Sequence, residues 1–113
     1  MPEGSDAPVR DVIAGMTAVS LDLCELPASD HLLARIAALA AVDAPPLSYL
    51  LHVGPAAEAG VTVEQVQGVL VAIAPIIGTP RTAVAARNIA EALGVAIAVA
   101  EAELEAQLEA QAQ

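Results

Sequence analysis

The chain has 113 residues, a formal net charge of −10 and a hydrophobic fraction of 57%, yet only one Tyr and no Phe or Trp. With four Arg and no Lys there is no basic stripe to neutralise phosphates, and almost nothing aromatic to stack on bases, so nucleic acid is excluded as a partner. A single cysteine, Cys24, excludes an intramolecular disulfide and an all-cysteine metal site.

Taken in order, residues 1–6 carry no apolar periodicity and read as a flexible N-terminus. From Ala7 to Leu23 the spacing of Val9, Val12, Ile13, Met16, Val19 and Leu23 predicts a helix with one apolar face. Leu26-Pro27 breaks it. Ser29 is the expected N-cap of a second helix, built on Leu32, Leu33, Ile36 and Leu39 and ending near Val42. Asp43-Ala44-Pro45-Pro46 reads as a turn. A third helix is expected from Pro46 to about Ala59, with a kink or break at Gly54-Pro55, because Pro55 removes one helical hydrogen bond and crowds the carbonyl of Leu51.

Ala59-Gly60 is a helix stop, since glycine takes the left-handed conformation that closes a C-terminus. Thr62 with Gln65 three residues on predicts a capping box and a fourth helix to Ile77, bent near Pro75. Gly78 ends it. Thr79 as N-cap and Pro80 at the first helical position open a fifth, which Gly94 should close after Leu93. The remainder, Val95 to Gln113, is a strongly helix-favouring acidic segment with Glu101, Glu105 and Glu109 spaced four apart and a narrow seam of Ile97, Leu104 and Leu108. No strand signal stands out. The expected class is all-α, a bundle of about six helices, with a domain over residues 7–94 and a C-terminal helix over 95–113.

So apolar a chain has more surface than a small monomer hides, which leaves a bilayer or a subunit interface to cover it. The longest charge-free run, Gln65 to Pro80, is 16 residues and includes Pro75 and two glycines. A spanning helix wants about 20 mainly apolar residues. No basic cluster flanks the run, and MPEGSDAPVRD lacks the basic start and apolar core of a signal peptide. The expectation is a cytoplasmic homo-oligomer, dimer to hexamer, with no membrane partner.

The stretch from His52 to Arg87 carries a more specific pattern. Its residues are His52-Val53, then Ala56, Ala59-Gly60-Val61-Thr62 and Glu64-Gln65-Val66 as A-x-x-A-G-V-T-x-E-Q-V, then Val69-Leu70, Gly78, Pro80-Arg81 and Ala85-Ala86-Arg87. Over residues 27–94 this resembles the carboxymuconolactone decarboxylase family, which includes the alkylhydroperoxidase D-like proteins. The resemblance implies a compact helical fold that assembles as dimers, trimers or hexamers with sites near subunit contacts. In the peroxidase branch it implies C-x-x-C-x-x-x-H and a glutamate on the preceding helix. Aligned on His52, those cysteines fall on Pro45 and Ser48, and the glutamate falls near Leu33. Thiol peroxidase chemistry is therefore disfavoured, because a peroxidatic thiolate and its resolving partner are both missing there. Asp30 and His31 also depart from the Arg and Thr that the family often carries.

The decarboxylase branch implies proton transfer with no cofactor and no metal. At the matching position only His52 remains, and an imidazole serves as general acid or base near neutral pH. His52 is the candidate catalytic residue. Arg81, after the G-x-P turn, is a candidate anion-holding group, and Ser48 and Tyr49, a turn before His52, are candidate hydrogen-bonding partners of a substrate. Two classes stay open. One is a lyase-like protein that binds, and transforms by acid/base chemistry, a small organic acid or lactone. The other is a non-catalytic structural or interaction module, with His52 packed and satisfied by backbone, and with Arg81 and Arg87 paired to Glu58, Glu64 or Glu91. For Cys24 the plain reading is a small buried residue near a helix end, since Asp22 and Glu25 beside it disfavour a thiolate.

Overall fold

The computed structural model describes residues 7–112; the flexible segment expected at 1–6 lies outside them. Among the described residues there are five helices and no strand: α1 (Ala7–Leu23), α2 (Ala28–Ala41), α3 (Pro46–Glu58), α4 (Val63–Ile77) and α5 (Thr79–Ala112). The all-α class holds. The count of about six does not, because α5 runs unbroken through Gly94. A glycine costs a helix interior only about 1 kcal/mol, and the Ala-, Leu- and Glu-rich sequence on both sides outweighs it. Pro55 likewise sits inside α3 without ending it, and Pro75 inside α4.

The helix ends follow local chemistry closely. Thr62 Oγ1 accepts from the Gln65 N–H at 3.1 Å while Gln65 Oε1 accepts from the Thr62 N–H at 2.9 Å, which is the expected capping box. Gly60, at φ +79°, closes α3: its N–H donates to Ala57 O and the Val61 N–H to Ala56 O. This six-to-one, five-to-two pair is a Schellman motif. The same motif ends α2, with the Asp43 and Ala44 N–H groups donating to Ala40 O and Leu39 O. There the left-handed position is held by Asp43, at φ +56°, the one non-glycine residue with positive φ in the described chain.

Two starts differ from expectation. Pro27, not Ser29, precedes α2, and the His31 N–H donates to Pro27 O. Helix α5 begins at Thr79 itself, with Gly78 O accepting both the Thr82 N–H and the Thr82 hydroxyl.

Helices α2 to α5 pack together, α3 most extensively on α5, whereas α1 packs against none of them. The core is small. Ile36, Ala44, Tyr49 and Ala92 form one buried cluster, and Ala40, Leu70 and Ala85 another, with Ile89 bridging both. Among the described residues no large side chain is fully buried. Helix α1 has no buried residue, and its tie to the body is a 3.4 Å hydrogen bond from Arg35 Nη2 to Ser20 Oγ. Val12, Ile13 and Met16 on it are all more than half exposed. The second half of α5 is exposed in the same way.

The turn between α2 and α3 is clamped from α5. Arg81 Nη1 donates to Ala41 O at 3.1 Å, its Nε lies 3.4 Å from Asp43 Oδ2, and Asn88 Nδ2 donates to Ala44 O at 3.2 Å. The Arg81 guanidinium thus satisfies a carbonyl at the α2 C-terminus, where cations are favoured. Asp43 is its carboxylate partner, rather than Glu58, Glu64 or Glu91.

Candidate functional site

The clamp fixes the start of α3 against α5, and α3 carries the candidate histidine on the face that meets the core. His52 is half-buried and lines a cavity of about 330 Å³ between α3, α4 and α5. Val53, Val66, Ile89 and Leu93 form much of its apolar wall. Its polar lining comes from four side chains: Tyr49, His52, Thr62 and Gln67. No Asp, Glu or Arg lines it.

His52 Nδ1 lies 2.6 Å from the backbone carbonyl oxygen of Ser48, one helical turn earlier. A carbonyl only accepts, so Nδ1 carries the proton. In the neutral ring this leaves Nε2 with its lone pair, and Nε2 has no hydrogen-bond partner within the described chain. A fixed tautomer with one free basic nitrogen beside a cavity is the minimum equipment of a general base.

The other candidates are distributed differently from the expectation. Ser48 acts on His52 through its backbone carbonyl, and its side chain does not line the cavity. Tyr49 does line it and is only 4% exposed, but its hydroxyl is buried with no hydrogen-bond partner. Burial, reinforced by the Asp43 carboxylate, raises its pKa above the usual phenol value. The ring therefore serves as wall, and the hydroxyl has no surface from which to reach a ligand. Arg81 lies outside the cavity, engaged with Ala41 and Asp43. Thr62 and Gln67 were missed as cavity residues. The capping-box reading of Thr62 hid its second position, and Gln67 had no local signal.

A second hollow, of about 360 Å³, lies where the α1–α2 connection meets α3 and is lined by Cys24, His31 and Glu58 among others. His31 is 9% exposed and its Nε2 has no partner. Among the described residues no three His, Cys, Asp or Glu side chains come together as a metal-binding group.

The model of the carboxymuconolactone decarboxylase family matches residues 10–92. The chain belongs to the carboxymuconolactone decarboxylase family. No curated protein and no solved structure matches it significantly. The family match takes in α1, which the resemblance over residues 27–94 had left out, and stops at Ala92, just before the exposed half of α5. In this carboxymuconolactone decarboxylase family member the positions of the peroxidase cysteines, Pro45 and Ser48, lie at the N-cap and in the first turn of α3. Both are a turn or more before His52, so the helix that would carry the redox pair carries only the imidazole.

Proposed function

We propose that this protein binds a small organic molecule, a lactone or organic acid, in the cavity beside His52 and moves a proton to or from it without a cofactor. The observation that carries the reading is His52 on the lining of an apolar cavity with its Nδ1 held by Ser48 O, a pairing that leaves Nε2 without a partner in the described chain. Holding Nδ1–H on a carbonyl orients the ring and selects the tautomer in which Nε2 is the base. Low polarity around it strengthens whatever hydrogen bond a ligand makes there. The reaction class is acid/base proton transfer on such a ligand; a decarboxylation step would need a cation to hold the carboxylate, and no Arg lines the cavity.

The test is calorimetric binding of lactone and carboxylate ligands across the neutral pH range, for the wild type and His52→Gln. Saturable binding whose pH dependence disappears in the variant supports the reading. Binding that is identical in both removes His52 from the site. A variant that instead loses stability makes His52 structural, and the protein is then the non-catalytic interaction module.

The same reading includes a cytoplasmic homo-oligomer. A lone 17-residue helix gains little stability from its own hydrogen bonds, so the exposed apolar face of α1 calls for a cover. A second copy of the chain would provide it. Helix α5 is long and apolar enough, by length and composition, to cross a membrane. Only 11% of its apolar stretch is buried, but its first half packs on α2, α3 and α4 with Ala85 and Ala92 buried, and in this reading a second copy covers the rest. Sedimentation of the wild type against Val12→Glu/Ile13→Glu tests the assembly: a wild-type monomer refutes it.

A further inference from the structure

We infer that the cavity beside His52 selects an uncharged, mainly apolar ligand with a single hydrogen-bonding end, and rejects the carboxylate form of the same skeleton. This rests on the reading that the cavity is the ligand site, and it narrows the substrate class.

The argument is one of charge and solvation. A carboxylate leaving water needs a cation or several donors in return, and without them it stays outside or takes up a proton. The chain holds four cationic side chains, Arg10, Arg35, Arg81 and Arg87, and none of them lines the cavity. Arg81, the best placed by sequence, is spent on Asp43 and the α2 carbonyl. No Asp, Glu, Arg or Lys of the described chain lines this space, and His52 is its one titratable group beside the buried Tyr49. The net charge of −10 lowers the local concentration of anions further.

What remains is aliphatic wall with polar points at His52, Thr62 and Gln67, since the Tyr49 hydroxyl is buried. That is the lining of a pocket that gains affinity from apolar area and orients its ligand through a few polar groups. At about 330 Å³ it sits at the small end of ligand pockets. A cyclic ester with a short alkyl tail fits this description, and the hydroxy acid formed by opening its ring does not. Among the described residues the one group on the lining that could carry a positive charge is His52, and His52→Gln separates that case.

The experiment compares δ-decalactone with 5-hydroxydecanoate, the same carbon skeleton uncharged and charged, by calorimetry with the full chain at mildly alkaline pH. The expected result is lactone binding at least about tenfold tighter than that of the hydroxy acid. Ala90→Phe, at a position both exposed and on the cavity lining, should abolish lactone binding with helicity unchanged. Equal or tighter binding of the hydroxy acid overturns the inference. So does a hydroxy acid that overtakes the lactone when the measurement is repeated at lower pH. Lactone binding that survives Ala90→Phe places the site elsewhere and overturns it too. If neither compound binds, the ligand-site reading fails together with this one. If the lactone preference persists in His52→Gln, only the role of His52 falls.

Discussion

Replacing Tyr49 by Phe should stabilise the protein. The ring is 4% exposed and packs in the cluster with Ile36, Ala44 and Ala92, but its hydroxyl is buried without a partner. Leaving such a group unsatisfied costs about 1–3 kcal/mol, and Phe removes it while keeping the ring. The small void left by the oxygen takes back part of the gain, so the net expectation is about 1 kcal/mol, or roughly 4 °C in Tm for a domain of this size. Thermal and urea unfolding followed by circular dichroism measure it, and Tyr49→Phe less stable by about 1 kcal/mol would mean that the hydroxyl has a partner after all.

The pH dependence gives the same residue a second readout. Burial first, then the Asp43 carboxylate, raises the folded pKa of Tyr49 above the ordinary value of 10.0. Above that value the unfolded chain loses the proton while the folded one keeps it. The contribution is fully present below about pH 10 and is lost as the pH rises through the folded pKa, by up to about 1.4 kcal/mol per pH unit. Tyr49→Phe should lack this decline. Tyr49 is the only tyrosine and there is no tryptophan, so phenolate absorbance reports its ionisation without overlap. A folded-state titration that coincides with that of the urea-unfolded chain refutes the argument.

Further expectations follow from the helix ends and the clamp. Thr62→Ala removes one arm of the capping box and should cost about 1 kcal/mol in urea unfolding. Gly94→Ala adds a methyl group where no atom lies within 4 Å, inside a helix, and should stabilise by up to about 1 kcal/mol, whereas Gly60→Ala at φ +79° should destabilise by about 1–2 kcal/mol. A Gly94→Ala variant that loses stability would mean that α5 is not continuous there. Arg81→Ala removes an exposed ion pair and one carbonyl hydrogen bond and should cost about 1 kcal/mol without changing ligand affinity. Lost affinity for a ligand would return Arg81 to the site.

Local chemistry was legible in the sequence, and long-range chemistry was not. Thr62, Gln65 and Gly60 were readable because each acts within five residues of itself, through backbone groups whose positions a helix end dictates. Gly94 misled because a punctuation residue was weighed without the helix formers around it. Ser29 misled because a good N-cap residue competes with any acceptor upstream, and Pro27 O was nearer the start. Arg81 and Ala41 stand 40 residues apart, and the carbonyl that Arg81 satisfies belongs to a turn whose shape depends on Asp43 taking a conformation usual for glycine. Nothing in the spacing of Arg81 announces that. His52 was legible as a candidate because the motif placed it, but its tautomer depends on a carbonyl, which every residue has. The family match over residues 10–92 agrees with the fold read from helix punctuation and extends it to α1.

The scarcity of aromatic residues has an effect on how this protein keeps its shape. With one Tyr and no Phe or Trp, the bundle lacks the side chains that commonly fill the space where three helices meet, and the empty volume among α3, α4 and α5 is what they would have occupied. A guest molecule of the right outline then behaves as a detachable part of the core. At a free concentration of 100 times its Kd it adds about 2.7 kcal/mol to the folded state. For a domain with so few fully buried groups that is a large share of the total, so if the proposed ligand fills the cavity its occupancy would set how long the chain survives heat and proteolysis. A shortage of ligand would therefore register first as a falling amount of protein, before any change in its turnover.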